Sequence, residues 1–185
     1  LNKMNKKKTK LIMALGSIVI LIACGSKENR QSVEVNTVKE VKKEKQLTAD
    51  IADASFKDGM TGKAFHNYLQ LKMALVNSDA DEAAKVAANM AEGFTDERAE
   101  IKTLAEGIAN NTDLEEQRSL FSNLTLQLSP LIEQNLAAGT IYKKYCPMAF
   151  NGDGAYWLSD VTEINNPYFG SKMLRCGKID QTISK

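Results

Sequence analysis

The chain predicts a mainly α fold: an up-and-down four-helix bundle followed by an irregular, aromatic-rich C-terminal segment with space for a short β-hairpin. Three observations carry the prediction. Apolar side chains recur at helical spacing from about Met60 to Ala138, polar breaks divide that stretch into four, and after Gly139 the helical period vanishes while aromatic residues crowd in. Helices joined by loops of a few residues lie beside their predecessors, which is bundle topology.

In the first helix Phe65, Tyr68, Leu69, Leu71, Leu75 and Val76 form a wide stripe that stops at Asn77-Ser78-Asp79. Ser78 or Asp79 can cap the second helix, with Asp81 or Glu82 three residues on completing a capping box. Its face of Ala83, Val86, Ala87 and Met90 is slim, so a neighbour can come close, and Gly93 ends it. Thr95 opens a third helix, with Ile101, Leu104, Ala105 and Ile108 on one side, broken at Asn110-Asn111. Thr112 with Glu115 is a further capping box, opening the longest helix through Leu114, Leu120, Phe121, Leu124, Leu126 and Leu128. Pro130 lacks the N–H that the ladder needs and should kink this helix or split it. Met60, Met73 and Met90 read as core filler.

Beyond Gly139 the chain holds Tyr142, Tyr145, Phe150, Tyr156, Trp157, Tyr168 and Phe169, with Pro147 and Pro167. Asn151-Gly152-Asp153-Gly154 is turn chemistry between two short runs able to pair as strands, TIYKKYC and AYWLS. Aromatic residues at this density in irregular chain need packing, a cross-link or a metal to hold them.

At the other end, Lys3, Lys6, Lys7, Lys8 and Lys10 precede an apolar run from Leu11 to Ala23, the order of a secretory signal. The run falls short of the about 20 apolar residues a spanning helix needs. Leu21-Ile22-Ala23-Cys24 resembles a lipobox, so Cys24 is expected to carry thioether-linked diacylglycerol and an N-acyl chain such as palmitate, an anchor well past the two-chain threshold. Gly25, rather than Asp, follows it, which favours the periplasmic face of the outer membrane over inner-membrane retention and leaves surface exposure open. The expected organisation is a signal peptide over 1–23, lipidated Cys24 and a polar tether over 24–48, and a domain over 49–185 whose Cys/Met motif spans 140–178.

The net charge of +1 includes the signal lysines, so the mature part is mildly acidic and has no footprint for nucleic acid. His66 is the only histidine, which argues against most acid–base mechanisms. There is no Cys-x-x-Cys, Ser-His-Asp set, phosphate-cradling glycine loop or paired carboxylates, and the chain reads as no enzyme.

What chemistry there is lies in two sulfur-bearing clips, Cys146-Pro147-Met148 and Met173-Leu174-Arg175-Cys176. Positions i and i+2 share a face in a strand, and i and i+3 meet in a helical turn, so each clip can present a thiol and a thioether together. Thiolate plus thioether suits Cu(I), whereas Zn(II) sites add His or more Cys, so Cu(I) leads and Zn(II) follows. Trp157, with Tyr145 and Tyr168, would shield such a site from water and oxidants. The competing reading is a disulfide between Cys146 and Cys176, worth roughly 3 to 4 kcal/mol by chain-entropy reckoning in an oxidising compartment. Spacing alone puts the disulfide slightly ahead, and the two methionines are what it leaves unexplained.

The string YCPMAFNGDGAYWLSDVTEINNPYFGSKMLRCG, with YLQLKMALVNSD and LEEQRSLFSNL upstream, resembles the DUF3347 family, a domain of unknown function, over about residues 60 to 180. Cys146, Pro147, Met148, Trp157, Asn166, Pro167, Tyr168, Phe169, Met173, Leu174, Cys176 and Gly177 carry the resemblance. Such domains occur as free-standing exported proteins and appended to periplasmic adaptors of heavy-metal efflux systems of the resistance-nodulation-division type. The resemblance therefore implies a copper or related soft-metal role, with an efflux adaptor as partner. The chain is too short to hold the lipoyl, hairpin and barrel regions of an adaptor itself. Two functions follow as expectations: a lipid-anchored protein that sequesters Cu(I) or delivers it to efflux, or a disulfide-stabilised, non-catalytic protein-interaction module of the envelope.

Overall fold

Three of the four long helices begin on an aspartate whose carboxylate takes up backbone N–H groups that have no partner inside the helix. The structure, a computed structural model, describes residues 53–185; the expected signal peptide, the expected lipidation at Cys24 and the expected tether lie outside the described residues. A two-residue strand β1 (Ser55–Phe56) precedes α1 (Gly59–Val76), which Asp58 caps by accepting the Thr61 N–H at 2.7 Å. The predicted stripe is buried throughout, from Phe65 to Val76. Of the two caps foreseen for α2 (Ala80–Ala91), Asp79 serves, accepting the Glu82 N–H at 3.0 Å.

The third helix starts differently from expectation. A 3-10 turn, Asp96–Arg98, leads into α3 (Ala99–Ala109), and the Thr95 side chain makes no capping bond. For α4 (Leu114–Asn135) the cap is Asp113, which accepts from the N–H groups of Glu115 and Glu116, and not Thr112. Pro130 neither splits nor ends α4. Its missing N–H orphans the carbonyl of Leu126, and both residues lie on the exposed face, where water can take the hydrogen bond.

Helix pairs α1/α2, α2/α3, α3/α4 and α1/α4 pack together. The helical pattern read as far as Ala138 stops at Asn135, because the next three residues are a strand, β2 (Leu136–Ala138), antiparallel to β1. Gly139 then turns at φ +95, where a Cβ would come within 2.5 Å of the Asp53 carbonyl oxygen.

The two runs read as possible strands form a hairpin, β3 (Thr140–Cys146) with β4 (Ala155–Ser159), in the register Tyr142↔Ser159 to Cys146↔Ala155. A third strand that the sequence reading lacked, β5 (Lys178–Ser184), pairs antiparallel on the other side of β3, giving the order β4-β3-β5. The C-terminal half is thus a small sheet with tightly turned loops, more regular than expected.

Aromatic rings join helices to sheet. Tyr68 on α1 stacks on Phe121 of α4 at 5.0 Å between centroids, Phe121 meets Tyr168 at 6.1 Å, and Tyr168 meets Trp157 of β4 edge-on at 6.1 Å. The Tyr68 phenol also accepts the Leu158 N–H at 3.0 Å and contacts Thr125 Oγ1 at 2.8 Å. Because Thr125 spends its own proton on the Phe121 carbonyl, Tyr68 is the donor to it, and burial pushes the Tyr68 phenol well up. Arg118, buried in α4, makes a second tie: Nε donates to the Pro167 carbonyl at 2.9 Å, and Nη2 to the Leu75 carbonyl at 3.2 Å and Ser78 Oγ at 3.1 Å.

Candidate metal centre

Cys146 is the last residue of β3 and is wholly buried. Its strand ends there because Pro147 has no N–H for the ladder. Cys176 lies thirty residues on, after a turn in which its N–H donates to the Met173 carbonyl at 3.0 Å. Gly177 follows at φ +142 with its backbone against the Trp157 ring; a Cβ there would stand 2.6 Å from Cη2. Only glycine lets the chain pass so close to the indole. Beside it the Cys176 Sγ lies 3.3 Å from the Cys146 Sγ, and both are free thiols.

The methionines are placed unequally. Met173 is half-buried and shares the turn of Cys176, as the i, i+3 spacing led one to expect. The strand-face pairing of Cys146 with Met148 does not form, because β3 stops at Cys146 and Met148 falls in the following turn, 54% exposed. Among the described residues no three or more His, Cys, Asp or Glu side chains gather. His66 is exposed on α1, against Gln70.

The three aromatic residues expected as a shield are placed differently from one another. Trp157 lies on the Cys146 face of the hairpin, since Lys144↔Trp157 and Cys146↔Ala155 are paired positions, and it is fully buried. Tyr168 packs edge-on against it and donates its hydroxyl proton to the Tyr156 carbonyl, and burial holds its phenol well above the usual range. Tyr145, next to Cys146 in an extended strand, points to the opposite face and packs on Tyr156 at 4.7 Å. Its carbonyl, not its ring, approaches Gly177.

Two buried polar residues to which the sequence analysis gives no role belong to this region. Lys144, two positions before Cys146 on the same strand face, is completely buried and donates to the Glu163 carbonyl. Asn166, also completely buried, donates from Nδ2 to the Cys176 carbonyl at 2.7 Å and accepts the Tyr168 N–H at 2.8 Å. The strand alternation of TIYKKYC signals the first, and the Asn-Pro pair, common turn chemistry, signals the second.

The Cys176 thiol is perturbed by its surroundings. The Cys146 thiol bonded to Cys176 pushes it above the ordinary thiol value, with desolvation and like-charge repulsion adding to the rise. Cys176 therefore keeps its proton until something displaces it, and the pair then has two courses. It can take up a soft cation with loss of protons, or close into a disulfide with loss of two protons and two electrons.

Residues 64–138 match the family described as a protein of unknown function (DUF3347). The matched span runs from α1 to the end of β2. The Cys-Pro-Met and Met-Leu-Arg-Cys-Gly strings that carry much of the resemblance lie beyond it. No curated protein and no solved structure matches the chain at a significant level.

Proposed function

We propose that the protein binds a soft heavy metal, Cu(I) above others, through the Cys146 and Cys176 thiolates. The observation that carries this reading is the pairing of two free thiols, sulfurs 3.3 Å apart, one buried beneath Trp157 and the other partly exposed. Cu(I) is satisfied by two soft donors, whereas Zn(II) asks for four and has no histidine here to supply them. Met173, in the turn of Cys176, and the solvent-facing Met148 are the thioethers offered to complete the set. An apolar wall of Trp157 and Tyr168 disfavours hydrated, harder cations.

The role is sequestration or delivery of the metal to an efflux adaptor, without catalysis, from a lipid anchor on Cys24 at the cell envelope, with residues 24–48 as tether. The helices are read as running alternately up and down, each packed on its predecessor across a short connection. Titration of the reduced chain with Cu(I) against a chromophoric chelator tests the site. We expect one equivalent bound, lost in C146S and C176S and weakened in Met173→Leu; binding that survives loss of both cysteines ends the proposal. Labelling with radioactive palmitate, abolished in C24S, tests the anchor.

The same sulfur distance favours a second reading, in which the pair is oxidised in the envelope and the domain is a disulfide-stabilised interaction module. Thiol counting on protein taken directly from the envelope separates the two. Two reactive thiols per domain support the metal site, and none supports the module.

A further inference from the structure

We infer that Asn166 is the positioning residue that sets how closely the Cys176 thiol approaches Cys146, and thereby the strength of the pair as a ligand. The second half of this statement rests on the metal reading; the first does not. Cys146 needs no help in keeping its place, since it closes a paired strand and is wholly buried. Cys176 is only half-buried and lies outside regular structure, between a turn closed by an i, i+3 bond to Met173, whose Arg175 donates to the Ile164 carbonyl at 2.9 Å, and the first pair of β5 with β3, Tyr145↔Lys178.

Among these ties Asn166 is the one that bonds the Cys176 backbone itself by a side chain. Its backbone N–H donates to the Leu174 carbonyl at 3.0 Å and its Nδ2 to the Cys176 carbonyl at 2.7 Å, so one residue grips both ends of the tripeptide that delivers the thiol. Its Oδ1 accepts from the N–H groups of Tyr168, at 2.8 Å, and Phe169, at 3.3 Å, which ties the grip to the following turn. That turn is itself fastened, by Arg118 to the Pro167 carbonyl and by the Tyr168 hydroxyl to the Tyr156 carbonyl of β4. Strand β4 pairs with the strand that ends in Cys146. The restraint on the second thiol is therefore referred back, through hydrogen bonds, to the strand that holds the first.

The test uses the full chain with Cys24→Ser, so that the two remaining thiols alone titrate, in glutathione buffers of graded ratio. In the exchange Cys146 and Cys176 each lose a proton and an electron, the Sγ–Sγ bond forms, and glutathione disulfide is reduced to two glutathione molecules. The equilibrium constant reads the effective concentration of one thiol at the other. Asn166→Asp keeps acceptors for Tyr168 and Phe169 but has no N–H for the Cys176 carbonyl. Asn166→Ser can still cap the Tyr168 N–H and is too short to reach that carbonyl. The expected result is a fall of about tenfold in both variants, the scale of one lost hydrogen bond, with the circular dichroism of the parent chain. An unchanged constant in whichever variant keeps the parent's circular dichroism overturns the inference. Cu(I) titration of the same preparations should show a parallel loss of affinity. Absence of Cu(I) binding in the parent, with the glutathione constant still lowered in the variants, overturns the metal reading and upholds the positioning role.

Discussion

Cys176 is the member of the thiol pair that solvent can reach, and its proton is held above the ordinary thiol range by its bond to Cys146. A metal that binds as a thiolate must expel that proton, so Cu(I) affinity measured by chelator competition between about pH 6 and 9 should climb with pH. A flat profile would contradict thiolate ligation. The same shift has a sign for folding. The native chain retains a proton that the unfolded chain gives up, so the contribution is fully present below the ordinary thiol value and disappears as pH rises through the raised native one. Gly177 is the other sensitive position, because Gly177→Ala forces a methyl into the Trp157 ring at an unfavourable φ. We expect a loss of about 2 kcal/mol or more in urea unfolding, with weakened thiol pairing. The cysteines were legible in the sequence from their spacing. Asn166 and Lys144 were not, since a buried polar side chain declares its task only when its partners, ten and nineteen residues away, are in place.

Among the elements, the helices were legible because burial on one face repeats at their own period, as the unbroken burial of Ala83, Val86, Ala87 and Met90 on α2 shows. The cap of α4 was legible to within one residue, Asp113 rather than its neighbour Thr112 taking the two N–H groups that open it, whereas Thr95 caps nothing. Asp113→Ala should cost about 1 kcal/mol in thermal or urea unfolding while Thr112→Ala costs little. The hairpin strands were visible as alternating runs flanked by turn residues. Strand β5 was hidden, because of its seven residues only Ile183 is buried and no alternation of apolar and polar positions marks it. Its place is dictated by the free edge of β3. The pair β1 and β2 is shorter still, and its existence depends on the close passage of residue 53 at Gly139.

At the scale of the molecule, the helical segment and the sheet share one core, so the thiol pair inherits its rigidity from contacts far from it. Arg118 is the clearest such contact. Its guanidinium bridges the end of α1 to the Pro167 turn through the Leu75 and Pro167 carbonyls, and it also meets Ser78 Oγ and the Glu115 carboxylate. Arg118→Ala should therefore destabilise the whole chain by about 3 kcal/mol in guanidine unfolding, and raise the alkylation rate of Cys176 before global unfolding begins. If the alkylation rate stays at its parental value, the turn is held by other means.

The chain contains one tryptophan, and its indole rests against the glycine adjoining Cys176. Emission from this side chain carries no contribution from any other indole. Anything that occupies the neighbouring sulfurs, a d¹⁰ ion or a new covalent bond, alters the quenching of that single emitter. The protein is thus its own fluorometer, and occupancy of the centre can be followed by light, in real time and without a dye.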